Sequence, residues 1–194
     1  MIKSKDDLKY YLKCDKVALK INNKKRFPSI FDSIWKYEII LRKCEYHKNT
    51  NHKFLYYFYK CRLNLLGEKL TLKFEPNVFG PGLSIAHYGT IIVNPNAKVG
   101  ANCRIHEGVT IGATNGSSNA PKIGDNCFIG SGAKIIGDII IGNNVAIGAG
   151  AVVVNNVGDN VTIGGVPAKV ISKNDSSSNI IKATEKVQEN EKQC

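Results

Sequence analysis

Long apolar runs are missing from this 194-residue chain. No stretch nears the roughly 20 consecutive apolar residues of a membrane helix, and the N-terminus (MIKSKDDLKYYLK) has no signal-type apolar core. Both absences point to a cytoplasmic protein. The six cysteines (Cys14, Cys44, Cys61, Cys103, Cys127 and Cys194) include no C-x-x-C pair, so they favour neither a zinc site nor a disulfide scaffold. They read as reduced thiols, mostly packing residues. Also missing are a G-x-S-x-G elbow, a P-loop, a dinucleotide-binding glycine fingerprint after a strand, and any metal-spaced His/Cys group. Covalent and metal-dependent mechanisms therefore lack their residues. Direct transfer from an already activated donor, with a single base, asks least of the sequence.

What is present is an ordinary globular composition, 43% hydrophobic and 22% charged. Acidic residues are scarce at one end only. Residues 1–74 carry 18 Lys or Arg against 7 Asp or Glu, whereas the remaining 120 carry 9 of each, so the whole net charge of +11 sits in the first part. A basic segment concentrates anionic partners such as an acidic glycan, a lipid surface or nucleic acid. It also serves simply as a solvated helical surface. No nucleic-acid-binding motif accompanies the charge, which argues against that partner.

Three textures divide the chain: a helical segment over 1–72, a repetitive region over 73–172, and a polar, flexible tail over 173–194. In the first, Ser4 and Asp7 suit a helix N-terminus, and Leu8, Leu12 and Val17 or Leu19 follow at roughly helical spacing. Asn22, Asn23 and Pro28 end that element. A second helix is expected over about Phe31 to Tyr46 and a third over about Lys53 to Leu66. The third is dense in aromatics (Phe54, Tyr56, Tyr57, Phe58, Tyr59), and with Lys60 and Arg62 it suits either packing or peripheral membrane contact. In the tail, a short helix around Ala183 to Glu191 and disorder are both open.

The middle region repeats every six residues. Aliphatic side chains fall at Val93, Val99, Ile105 and Ile111, then at Ile123, Ile129, Ile135, Ile141, Ile147 and Val153, with one step of twelve between the two runs. Glycine follows at Gly100, Gly112, Gly124, Gly130, Gly142 and Gly148. Neither an amphipathic helix nor an alternating strand has this period. A short strand plus a sharp corner does, and three such units close one triangular coil. The expected fold is a left-handed parallel β-helix after a small α-helical segment. Counting eighteen residues per coil stacks Val93, Ile111, Ile129 and Ile147 in one column and Ile105, Ile123 and Ile141 in another. Residues 113–121 (ATNGSSNAP) replace one repeat unit and read as a projecting loop.

Of four histidines, His47 and His52 lie in a lysine-rich joint. His87 and His106 are nineteen residues apart, close to one coil, and so can meet near one corner. Counting leaves the direction of His87 open, because Pro81 has already broken the register of the first coil.

Three runs, at 80–114 (GPGLSIAHYGTIIVNPNAKVGANCRIHEGVTIGAT), 121–154 (PKIGDNCFIGSGAKIIGDIIIGNNVAIGAGAVVV) and 164–171 (GGVPAKVI), resemble the serine acetyltransferases of the hexapeptide-repeat family. The likeness is closest to their short, capsule-associated members. It implies an acetyl-CoA-dependent O-acetyltransferase with His87 as general base and no metal. Histidine suits that task because imidazole ordinarily titrates near neutral pH. The resemblance further implies oxyanion stabilisation by backbone N–H groups of Gly112 and Ala113. Ala113, Ser131 and Ala149 would contact the pantetheine arm, with Lys169 near the nucleotide phosphates. It also implies a homotrimer with acetyl-CoA between neighbouring prisms.

The departures bear on the acceptor. The family's serine enzymes carry Asp before the base, where this chain has Ala86, and Arg-His before Pro-Lys-Ile, where it has Asn119-Ala120. The carboxylate that orients the base falls on Leu72; Glu75 is the nearest acid, Glu107 another, and His106 is a further catalytic candidate. These differences favour a hydroxyl on a sugar or polysaccharide precursor, with L-serine as the other small-molecule acceptor. A non-catalytic β-helix scaffold is the alternative reading.

Overall fold

The computed structural model describes residues 1–192; Cys194 lies outside the described residues. Three helices precede the repeats: α1 (Lys5–Ala18), α2 (Ser33–Asn49) and α3 (Lys53–Leu70). Ser4 caps α1 through a reciprocal capping box with Asp7. The second helix starts two residues later than its hydrophobic pattern suggests, because the Asp32 carboxylate is drawn back to Lys25 and Ser29. Among the described residues, no helix is long and apolar enough to cross a membrane.

From Leu72 onward the chain winds into a three-sided parallel β-helix. One face stacks Leu72–Lys73, Ile91–Val93, Thr110–Gly112, Lys134–Ile136 and Val152–Val153. The second stacks Lys98–Val99, Lys122–Ile123 and Ile140–Ile141. The third stacks Ser84–Ile85, Arg104–Ile105, Phe128–Ile129, Ala146–Ile147 and Thr162–Gly165, closed by the antiparallel strand Ala168–Ser172. Inward aliphatics such as Ile105, Ile111, Ile129, Ile135 and Ile147 are wholly buried. Each coil pairs its backbone with the coils on either side, so free strand edges occur only at the ends.

The columns differ from those obtained by counting eighteen. Ile111 stacks on Ile135 rather than on Ile129, and Ile123 stacks on Val99 rather than on Ile105. The cause is the segment 113–121, which is an addition between two faces and replaces no repeat unit. That coil is therefore 24 residues long, as the pairing of Ile105 with Ile129 requires.

Asparagines hold one corner. Asn102, Asn126, Asn144 and Asn160 all adopt left-handed backbone, which Asn tolerates better than most residues. Their side-chain amides form a ladder of 2.8–2.9 Å bonds from coil to coil. Gly124 is required for a different reason: a Cβ there would lie 2.8 Å from the Gly142 carbonyl carbon of the next coil.

A buried charge cluster clamps the helices to the first coil. Arg42 of α2 donates to Asp15 of α1 at 2.7 and 3.2 Å, to Glu45 at 3.0 Å, and to the carbonyls of Phe79 and Gly80. Asp15 in turn accepts from the N–H groups of Gly82 and Leu83 at 2.9 Å, and Glu38 accepts from that of Ile85 at 3.1 Å. Four consecutive residues before Ala86 are thus held nearly buried, and His87 leaves a rigid support.

Of the helix and the disorder left open for the tail, the structure has the helix: α4 (Ala183–Lys192), whose Ala183 and Val187 pack on Cys14 and Ala18 of α1. Cys14, Cys44, Cys103 and Cys127 are buried free thiols and Cys61 is exposed.

Candidate active site

The third face ends at a corner where the two central histidines meet. Ile85 pairs with Ile105, so Ala86 lies beside His106 and His87 beside Glu107. The same register continues through Ile129, Ile147 and Ile163. One row along the corner therefore reads Ala86, His106, Gly130, Gly148, Gly164. The row beyond it reads His87, Glu107, Ser131, Ala149.

His87 is exposed and its ring centroid is 5.8 Å from that of His106, at 63°. Phe128 packs on His106 with ring centroids 5.1 Å apart. The His106 side chain is 18% exposed, and burial pushes its pKa down, with the nearby Arg104 charge adding to the effect. The Glu107 carboxylate lies 3.8 Å from His106 Nδ1, and the Ser131 hydroxyl beside it holds its pKa below the usual carboxylate range. Gly89 allows this approach: its φ is +147°, and a Cβ there would stand 2.9 Å from Glu107 Cβ.

Donor atoms of His87, His106 and Glu107 all lie within 4.8 Å of one another. Such a set can move a proton, and among the described residues it is also where potential metal-binding groups converge. The nineteen-residue spacing of His87 and His106 announced that the two can meet, and Glu107 joins them as the chain neighbour of His106. His106 Nε2 and Glu107 Oε2 are buried atoms with no hydrogen-bond partner, so the trio has unused polar capacity facing the corner.

Glu75 is not part of this group. Its carboxylate pairs with Lys60 of α3 at 2.6 Å, and Glu107 is the acid beside the histidines. The rung geometry explains the change, since His87 stacks on the residue two past Ile105, not on the segment following Leu72. Gly112 and Ala113 end the first face, one prism side away from His87, where the added loop leaves the coil. Within one chain they do not meet His87. Ser131 and Ala149 do share its row. Lys169 pairs with Gly164 at the far end of the corner, four strand spacings or about 19 Å from His106.

Between His106 and Lys169 this edge carries only Gly130, Gly148 and Gly164 in one row and Ser131 and Ala149 in the next. The strip has almost no side-chain relief; Gly130 is buried under the next coil, Gly148, Gly164 and Ser131 are half-buried, and Ala149 is exposed. The sequence signal for it was the glycine after each isoleucine. Against Ala86 and Tyr88, the residues on either side of His87, lies a cavity of about 590 Å³ whose wall also includes Ile30, Phe31, Trp35 and Lys69 and neither histidine. Nothing in the hexad pattern marks it, because helices supply most of its wall.

The loop 113–121 folds back on the prism. The Asn119 side-chain amide donates to Asp138 at 2.8 Å, and Ala120 is buried at the loop's base. Neither position offers a cation.

Comparison with known proteins fits this architecture. The pattern of the family described as "Bacterial transferase hexapeptide (six repeats)" matches residues 120–155. A serine acetyltransferase of Synechococcus elongatus is 34% identical over 131 residues, 62% of this chain and 54% of that protein. One of Staphylococcus xylosus is 30% identical over 147 residues, 70% of this chain and 68% of that protein. This chain thus spans little more than half the length of the first relative and about two thirds of the second. Among solved structures, the serine acetyltransferase of Brucella abortus strain S19 in complex with coenzyme A superposes with a TM-score of 0.67 at 28% identity, covering 87% of this chain and 68% of that one. The three-sided coil is therefore the left-handed parallel β-helix of the hexapeptide transferases, and the chain belongs to the serine acetyltransferase family.

Proposed function

We propose that this chain transfers the acetyl group of acetyl-CoA to a hydroxyl, with His87 as general base. His87 takes the hydroxyl proton as the acceptor oxygen attacks the thioester carbonyl carbon. The carbon–sulfur bond then breaks, and the proton passes from the imidazolium to the departing CoA thiolate. Acetyl ester and CoA–SH are the products, and no further reactant is needed. Glu107 orients His87 and stabilises the imidazolium, with His106 packed beside it.

One observation carries this reading: the smooth backbone edge leading from the His87 corner to Lys169. A pantetheine arm carries amides that pair with exposed backbone, and Ser131 and Ala149 are small enough to let it approach. Lys169, at the far end, suits nucleotide phosphates. The complex of the Brucella relative with coenzyme A supports the same donor. Gly112 and Ala113, one prism side away, would reach the thioester from a neighbouring subunit, which makes the working unit a homotrimer.

For the acceptor, the family name favours L-serine, but the corner favours a sugar hydroxyl. An amino-acid carboxylate is best met by a bidentate arginine; Asn119 and Ala120 supply no cation, and Lys69 is the one basic side chain in the cavity wall. The cavity wall beside His87 is largely apolar and aromatic, which suits the C–H face of a sugar ring.

The test is thiol release from acetyl-CoA with serine and a panel of sugars, for the native chain and for His87→Ala. His87→Ala should lose acetyl transfer by about 10²-fold or more while still binding CoA by calorimetry. Retained activity removes His87 from the mechanism. Absence of CoA binding to the native chain would favour a non-catalytic scaffold.

A further inference from the structure

A second cavity, of about 640 Å³, opens between α2 and α3. Five cations line it (Arg26, Lys36, Lys43, Arg62 and Lys69) and no carboxylate does. None of the five makes an ion pair among the described residues. Only aromatic faces moderate the charge: Lys43 lies over Tyr59 and Arg62 over Phe58, each 5.6 Å from the ring centroid. Between the cations the surface is apolar, with Phe27 80% and Leu65 63% exposed. Lys69 also lines the cavity beside His87, so the two cavities adjoin.

Five like charges around one hollow repel each other, and exposed apolar groups among them gain nothing from water. An anion bearing hydrocarbon relieves both costs. Guanidinium and ammonium groups pair with phosphate oxygens, Arg bidentately, and the apolar rim takes an aliphatic chain. A second copy of this chain fits less well, because its corresponding helical surface carries the same excess of positive charge.

We propose that the acceptor is an amphiphilic sugar phosphate. Its sugar occupies the cavity beside His87, its phosphate sits among Lys43, Arg62 and Lys69, and its hydrocarbon lies over Phe27 and Leu65. This rests on the acetyl-transfer reading above and narrows it. The reaction is unchanged: a sugar hydroxyl oxygen gains the acetyl group and its proton ends on the CoA sulfur. The phosphate is a binding handle and takes no part in bond making.

The experiment measures thiol release with one N-acetylhexosamine in three forms: the free sugar, its 1-phosphate, and its 1-diphosphate ester with a short prenyl chain. The expected order is a rise in kcat/KM of at least tenfold with the phosphate and a further rise with the chain. The double variant Lys43→Glu, Arg62→Glu, checked for an unchanged melting curve, should lose at least tenfold in kcat/KM for both phosphorylated forms. It should leave the free sugar and the KM for acetyl-CoA unaffected. Lys43→Met alone is a milder variant that should show the same selectivity. Equal kcat/KM for the three forms overturns the proposal, as does an equal loss for all three in both variants. Turnover of serine with none of the sugar forms overturns it too, while leaving acetyl transfer intact. Failure of every acceptor, serine included, takes the acetyl-transfer reading down first.

Discussion

His87 and Glu107 occupy neighbouring rungs of one prism corner, because each lies two residues beyond an isoleucine of the Ile85–Ile105 pair. These isoleucines are twenty residues apart, two more than an ordinary coil, and those two residues decide which acid the histidine meets. The position where the family resemblance puts an orienting carboxylate is Leu72, which is buried in the core. Glu107, from the next coil, is the carboxylate that lies near both histidines.

If Glu107 orients the base, Glu107→Gln should lower kcat by about 10- to 100-fold, since positioned acid–base groups contribute on that scale. The KM for acetyl-CoA should stay unchanged, and Glu107→Asp should recover part of the loss. Full activity of the glutamine variant would remove this role.

The asparagine ladder makes a stability prediction. Asn126 has φ +58° and shares one amide bond with Asn102 and one with Asn144. Replacing it by Ala loses both bonds, about 1 kcal/mol each, and keeps a Cβ in left-handed backbone without the polar side chain by which Asn tolerates it. Asn126→Gly avoids the second cost. Urea denaturation should therefore rank native above Gly above Ala, and an Ala variant as stable as the Gly one would contradict the strain argument.

Glu38 links the helices to the strand that precedes His87 and should make stability depend on pH. Burial raises its pKa well above 4.5, and the neighbouring Asp15 charge raises it further, against the backbone N–H of Ile85 and the charge of Arg42. A carboxyl raised on folding is protonated in both states below about pH 4.5, where its contribution is intact. As pH rises above that value the unfolded chain ionises first, so stability falls by up to about 1.4 kcal/mol per pH unit until the folded group ionises too. Glu38→Gln keeps an oxygen for the Ile85 N–H and removes this loss. The variant should gain melting temperature relative to native at pH 8 and gain little at pH 5. An identical pH profile for both proteins would refute the assignment.

Much of this was legible in the sequence. Ten aliphatic residues in one six-residue register required a stacked triangular coil, since no helix or flat sheet buries every sixth side chain. The near-coil spacing of His87 and His106 indicated that they can meet at one corner, as they do, and the glycines after the isoleucines marked corners. The lysine-rich first part announced a basic surface, though not its shape.

The sequence by itself determined which side chains face inward and which corners can turn. Within each strand that depends only on alternation, and at each corner on what Gly and Asn permit. The tertiary structure alone decided which residues become neighbours across coils. Corner length and inserted loops do not alter the local pattern, yet they shift everything after them. Backbone pairing fixed coils of 20, 24, 18 and 16 residues along the third face, so Glu107 met His87 and Glu75 was left to Lys60. The buried Arg42 cluster and the cavities beside α2 likewise exist only once helices dock on the first coil. Charges far apart in the chain can share a low-dielectric site only through that packing.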